Sequence, residues 1–241
     1  MKVSLFVTCL VDQFFPQVGL STVEILNRLG LEVDFDPRQT CCGQPAFNTG
    51  YTEEAAQVGR HFLHVYRDAE TVVVPSGSCC AMIKVFLPDL FEPDSQEHRL
   101  AKEIASRTYE LSDFLVAVLK VDQTGASFPE IVTYHDSCHL LRELDIHDQP
   151  RVLIRGVEGV DFREMENCTR CCGFGGTFSV KFSDVSAAIG DDKVQWIRDS
   201  GARYVIANDI SCLMHINGLL RREGIPIQTL HLAELLAQFD R

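Results

Sequence analysis

The chain has no long apolar run: no stretch reaches the roughly 18 residues that a bilayer-spanning helix requires. It is also short of positive charge, with 22 Lys and Arg against 34 Asp and Glu and a formal net charge of -12. Nucleic-acid binders normally present a basic face, so that class is disfavoured. Segment 1–13 holds a single Lys and an apolar stretch broken by Thr8, Asp12 and Gln13. It has neither the apolar centre nor the small-residue cleavage site of a secretory signal, and a cytoplasmic location is expected. A G-x-S-x-G elbow, a phosphate-binding P-loop and an H-E-x-x-H helix are all missing. Gly173-Phe174-Gly175-Gly176 lacks the spacing of a dinucleotide loop and follows a Cys pair, so it reads as backbone making room for a bound group. With no flavin or nicotinamide site in view, electron transfer is favoured over substrate chemistry. What remains is an ordinary globular composition, 46% hydrophobic and 23% charged over 241 residues, enough for one large domain or two small ones.

Against these absences stand ten cysteines. In a reducing cytosol a chain large enough to build its own core keeps its thiols for metals or catalysis rather than for disulfides. Their spacing repeats with a period of about 130 residues. Cys9 is separated by 31 residues from Cys41-Cys42-Gly43, and 36 residues lie between Cys42 and Cys79. Cys138 is separated by 32 residues from Cys171-Cys172-Gly173, and 39 residues lie between Cys172 and Cys212. Apolar runs lead into the first and last Cys of each half, and the tails correspond, Leu111-Ser112-Asp113-Phe114-Leu115 with Leu230-His231-Leu232-Ala233-Glu234-Leu235. The chain is a duplication.

Each half alternates strands with helices. Val18, Thr22, Ile25, Leu26 and Leu29 recur at helical spacing and Gly30 ends that helix. Leu31, Val33 and Phe35 alternate as a strand. Helices are expected over 51–66, from about Ala81, and over 150–155, 183–199, 213–222 and 230–239. Strands are expected over 72–74, 160–163 and 204–207. This alternation predicts an α/β fold of two duplicated Rossmann-like lobes, with mainly parallel sheets related by a pseudo-two-fold axis. The expected lobes are 1–122 and 123–241, joined near Asp122-Gln123-Thr124-Gly125.

Cys9, Cys79, Cys138 and Cys212 fall where a strand gives way to a helix, the end of an open α/β sheet at which ligands bind. Cys41-Cys42 and Cys171-Cys172 lie in glycine-opened loops. Each half can therefore bring four thiolates to one point, eight in all as candidate metal and cofactor ligands. Four thiolates suit zinc or an iron–sulfur cluster. Zinc knuckles usually draw ligands from C-x2-4-C, whereas adjacent cysteines fit better when their sulfurs bind different irons. That favours a cluster, with a colourless zinc scaffold as the alternative.

The pattern C-x31-CCG followed by C, repeated across the chain, resembles the cysteine-rich CCG domain of two known oxidoreductases, heterodisulfide reductase and glycolate oxidase, in each of which it forms an iron–sulfur component. Phe6-Val7-Thr8-Cys9, Cys41-Cys42-Gly43-Gln44-Pro45-Ala46, Pro75-Ser76-Gly77-Ser78-Cys79, the string from Cys171 to Lys181 and Ser211-Cys212-Leu213-Met214 are similar to the lactate utilization protein A family. This resemblance covers nearly the whole chain. It implies a cytoplasmic oxidoreductase subunit that carries an iron–sulfur cluster, works with two further proteins of B and C type, and oxidises L-lactate to pyruvate. Glycolate or another 2-hydroxy acid is the competing substrate. One departure stands out: the heterodisulfide reductase pattern ends each half in C-x-x-C, whereas Met82 and His215 stand here. Four ligands per half imply an ordinary four-iron, four-sulfur (4Fe-4S) cluster, one or two per chain, or a related cluster completed by His215. A disulfide-cleaving reaction of heterodisulfide type is the alternative activity, and Met82 and His215 count against it.

Cys80 and Cys168 have no counterpart in the other half and read as bystanders, although Cys80 adjoins a ligand and could replace it. His135, His139 and His215 lie within a few residues of proposed ligands, where a histidine either holds structure or tunes a bound cluster. Lys181 reads as a solvated helix-start residue. The acidic surplus is a solubility feature.

Overall fold

The computed structural model describes residues 1–239. Eight short strands form two four-stranded sheets. In the first sheet β1 (Lys2–Leu5), β2 (Glu32–Asp34), β3 (Val72–Val74) and β4 (Thr108–Glu110) stand in the order β2-β1-β3-β4. In the second, β5 (Ile131–Tyr134), β6 (Asp161–Phe162), β7 (Tyr204–Ala207) and β8 (Gln228–His231) stand in the order β6-β5-β7-β8. Every pairing is parallel, with Val3 beside Val33, Val73 beside Tyr109, Val132 beside Phe162 and Val205 beside Thr229. The duplicated spacing is thus a duplicated α/β topology.

The central strands are apolar because helices cover both their faces. Val72, Val73 and Val74 are all fully buried. The helices show the expected amphipathic stripes: Pro16–Arg28 buries Val18, Thr22, Ile25 and Leu26 and stops at Gly30, whose φ of 77° is left-handed. Thr52–Tyr66 and Ser183–Asp199 fall where their periodicity places them. One apolar core runs through both lobes, taking Val3, Val73 and Phe114 together with Val132, Val205 and Leu235. Helix Pro16–Arg28 packs on helix Leu232–Leu236, and Gly77–Ala81 on Cys138–Arg142. Among the described residues, no helix is long and apolar enough to cross a membrane.

Several expectations need correction, and the helix expected over 213–222 begins at Ile210. The helix expected from Ala81 begins at Gly77, because the Ser76 hydroxyl caps it by accepting from the Cys79 N–H at 3.3 Å. It then widens into a π-helical turn over Met82–Phe86. The helix expected over 230–239 begins at Leu232, since Gln228–His231 forms β8, and His231 caps the helix that follows. Consequently the tails align two residues later than their sequences suggest: Glu110 pairs with Val74 as His231 pairs with Ala207, so Leu111 corresponds to Leu232.

Candidate metal centre

All the loops that follow β1, β2, β3, β5, β6 and β7 emerge at the carboxyl ends of their strands, and the two sheets turn these ends toward each other. Between them lies one cavity of about 390 Å3, lined by Cys9, Cys41, Cys42 and Cys79 from the first lobe and by Cys138, Cys171, Cys172 and Cys212 from the second. Cys9 and Cys138 each open the helix that follows β1 and β5, and Cys79 and Cys212 sit in the first turn of the helices that follow β3 and β7. All eight are free thiols.

The Cys-Cys-Gly triplet has a local physical reason. Gly43 and Gly173 adopt φ of 89° and 93°, which a side chain would resist. That turn sends each glycine N–H back to the first sulfur of its pair, at 3.4 Å to Cys41 Sγ and 3.3 Å to Cys171 Sγ. At Gly173 a Cβ would also stand 2.4 Å from the Ser186 carbonyl oxygen.

In the first lobe Cys42 and Cys79 Sγ lie 3.2 Å apart, and Cys9 and Cys41 Sγ 3.7 Å apart. Thiols crowded this closely cannot all ionise without a cation. Their titrations split accordingly. Hydrogen bonds from Cys42, Cys9 and the Gly43 N–H hold Cys41 well below the usual thiol range, while the bond to Cys41 pushes Cys9 upward. The second lobe repeats the arrangement. Cys171 is lowered by hydrogen bonds from Cys138, Cys172 and Gly173, and Cys212 falls to about 6 under the influence of Cys172 and His135. Each lobe thus holds a thiolate–thiol group, the donor chemistry of a thiophilic metal or cluster. Polar atoms left without partners agree with a bound group: the Ser137 hydroxyl, at the cavity wall, is buried and unpaired.

Most of the other residues singled out in the sequence lie outside the cavity lining. Cys80 is fully buried in the first lobe's core, where desolvation raises its thiol. Cys168 sits beside Asp136 and Glu164, a trio with ligand-like spacing. Arg151 already fills that trio, reaching Asp136 Oδ2 and Glu164 Oε1 at 2.7 Å each. Met82 is core. His215 is half-buried and directs Nε2 at the Ser186 hydroxyl, 3.5 Å away, so the reading in which it completes a cluster gains nothing from the geometry. His139 lines the cavity with Nδ1 3.5 Å from Cys138 Sγ. Lys181 is exposed.

Sequence reasoning missed the polar clamp between the lobes. Asp209, buried after β7, accepts from the Ser76 and Ser78 hydroxyls at 2.7 Å each and from the Ser78 N–H at 3.0 Å. Asn208 donates to Glu110 Oε1 at 2.9 Å and accepts from the Tyr134 hydroxyl, also at 2.9 Å. The available signal was a polar pair, Asn208-Asp209, closing an apolar strand where the other half has Pro75-Ser76.

Two α/β lobes with a Cys…Cys-Cys-Gly…Cys set at the mouth of each define a duplicated cysteine-rich domain protein. The cysteine-rich CCG domain matches residues 3–84 and again 132–217. Lactate utilization protein A 2 of Bacillus cereus (strain AH820) is 47% identical over 238 residues, covering 99% of this chain and 98% of the relative. Lactate utilization protein A of Geobacillus kaustophilus (strain HTA426) is 48% identical over 236 residues, 98% of each chain. The chain belongs to the lactate utilization protein A family. A hypothetical protein from Helicobacter pylori shares the fold, with a TM-score of 0.70 over 100% of this chain at 11% identity, and this chain spans 49% of that one.

Proposed function

We propose that this chain is the iron–sulfur electron-transfer subunit of a cytoplasmic, multi-subunit oxidoreductase that oxidises L-lactate to pyruvate. The observation that carries it is the convergence of eight free thiols, four from each lobe, on one cavity of about 390 Å3. On this reading lobe 1–122 holds one 4Fe-4S cluster through Cys9, Cys41, Cys42 and Cys79. Lobe 123–241 holds another through Cys138, Cys171, Cys172 and Cys212. A cluster bound there supplies reversible one-electron acceptance. The chain's own part is to hold the thiolates. Gly43 and Gly173 N–H groups direct hydrogen bonds at sulfur, which favours the anion, and Asp209 fixes the distance between the lobes. The two electrons released when lactate becomes pyruvate would arrive through the B- and C-type partner proteins. The relatives' name and this donor set support that role.

The disulfide-cleaving alternative draws no support from the geometry. The positions that would complete C-x-x-C are Met82, sealed in the core, and His215, turned to Ser186.

The test is anaerobic mixing of the iron-loaded chain with both partner proteins and L-lactate. Bleaching of its visible iron–sulfur absorption with formation of pyruvate is the expected result. Pyruvate formation with no change in that absorption would refute a relay through this chain, and turnover of a disulfide by the chain alone would favour the alternative.

A further inference from the structure

The two lobes place different side chains behind their thiols. The first residue after β1 is Phe6 and the first after β5 is His135, each three residues before the leading cysteine. Phe6 is sealed among aromatics, edge-on to Phe62 at 5.3 Å and to Tyr66 at 5.7 Å. His135 is fully buried, yet neither Nδ1 nor Nε2 meets a nitrogen or oxygen partner, and the polar neighbour it faces is the Cys212 sulfur. A buried polar atom without a partner is costly, and this ring carries two.

The missing partner has an obvious place. A ring nitrogen of His135 and the sulfurs of Cys172 and Cys212 all lie within 4.8 Å of one another. At a tetrahedral centre about 2.3 Å from sulfur and about 2.0 Å from nitrogen, the two donors stand about 3.5 Å apart. An inward movement of about 1 Å would therefore bring the imidazole within reach of a metal group held by the two sulfurs. The neighbouring imidazoles are differently engaged. His215 Nε2 faces Ser186, and His139 Nδ1 faces Cys138 from the cavity side. In the first lobe no nitrogen stands at the matching position, because Phe6 occupies it.

We propose that His135 is a nitrogen ligand of the second lobe's metal group, alongside Cys172 and Cys212. The duplicated lobes then hold chemically different sites, all-thiolate in the first and thiolate with imidazole in the second. This rests on the cluster reading above but gives the second lobe's group a fifth protein donor, one more than an ordinary 4Fe-4S cluster takes, and its test is separable from that reading.

The experiment is pulsed EPR on the anaerobically purified, reduced chain, prepared with natural-abundance and with 15N-labelled histidine. A strong 14N coupling of a directly bound nitrogen is expected, converted to a 15N pattern by the label. His135→Phe, which installs the side chain the first lobe already accommodates, should abolish it while the first lobe keeps its iron. His139→Ala and His215→Ala should leave it intact. His135→Gln serves if the Phe variant does not fold. Absence of the coupling in wild type at full iron and sulfide, the weak coupling of a merely hydrogen-bonded nitrogen, or its survival in the His135 variants would each overturn the proposal. Iron and sulfide analysis separates the two failures: zinc without sulfide sinks the cluster reading alone. In that event the chain is loaded with cobalt(II). A ligand-field spectrum changed by His135→Phe would uphold the nitrogen ligand, and an unchanged one would overturn it.

Discussion

Glu110 and His231 close matching strands in the two lobes, and both meet Asn208: Glu110 Oε1 accepts from its side chain at 2.9 Å, while His231 Nε2 lies 2.9 Å from its backbone oxygen. Burial raises the Glu110 carboxyl from 4.5 to about 7 and lowers the His231 imidazole from 6.5 to about 4. At 1.36 kcal/mol per pH unit each displacement is worth about 3.4 kcal/mol. The signs differ. Folding strengthens proton binding at Glu110, so stability falls as pH rises from 4.5 to about 7. Folding weakens it at His231, so stability falls as pH drops from 6.5 to about 4. Between pH 4.5 and 6.5 the two slopes oppose and cancel. Glu110→Gln removes one of them. The stability of the variant minus that of wild type, from urea unfolding at matched iron content, should climb by about 3 kcal/mol between pH 4.5 and 8. Taking the difference cancels every group that titrates elsewhere, and the amide's altered hydrogen bonds add only a constant offset. A flat difference curve would refute the reasoning.

Removing the carboxylate that ties the lobes, Asp209→Ala, leaves the Ser76 and Ser78 hydroxyls and the Ser78 N–H without their acceptor. The expected cost is about 3 kcal/mol, a Tm lower by about 6–12 °C in calorimetry, and a shift under about 2 °C would contradict it. Gly77→Ala would set a Cβ 2.5 Å from Leu140 Cβ across the lobe contact. It should cost about 1–3 kcal/mol, whereas Gly218→Ala, a helical position with open space around its Cβ, should stabilise by about 0.5–1 kcal/mol. Cys80→Ala and Cys168→Ser should leave the metal content unchanged, while Cys42→Ser should lower it. Equal loss in all three would refute the division of the ten cysteines.

The duplication was legible because cysteine spacing survives where other side chains drift. Val72–Val74 and Tyr204–Ala207 were legible because a buried central strand is an uninterrupted apolar run. Thr108-Tyr109-Glu110 and Gln228–His231 were not. They are edge strands, paired on one side only, and their polar side chains carry no run or alternation strong enough to read. Leu230, in β8, and Leu232, Leu235 and Leu236 beyond it mimic a single helical stripe, which is why the helix was expected two residues too early. The candidate ligands could be named from spacing, but their convergence on one cavity depends on how the lobes dock. That docking is set by Asp209, Asn208 and Gly77, residues whose roles are defined only by the partners they meet across it. The orphaned nitrogens of His135 are legible only in three dimensions, since a buried histidine normally finds a hydrogen-bond partner.

The measurement that tests the central claim most directly is the iron, sulfide and zinc content of the anaerobically purified chain. Two four-iron clusters predict about eight irons and eight sulfides per chain, with Cys9→Ser and Cys138→Ser each removing about half. Zinc without sulfide, persisting through anaerobic reconstitution with iron, would contradict the electron-transfer account.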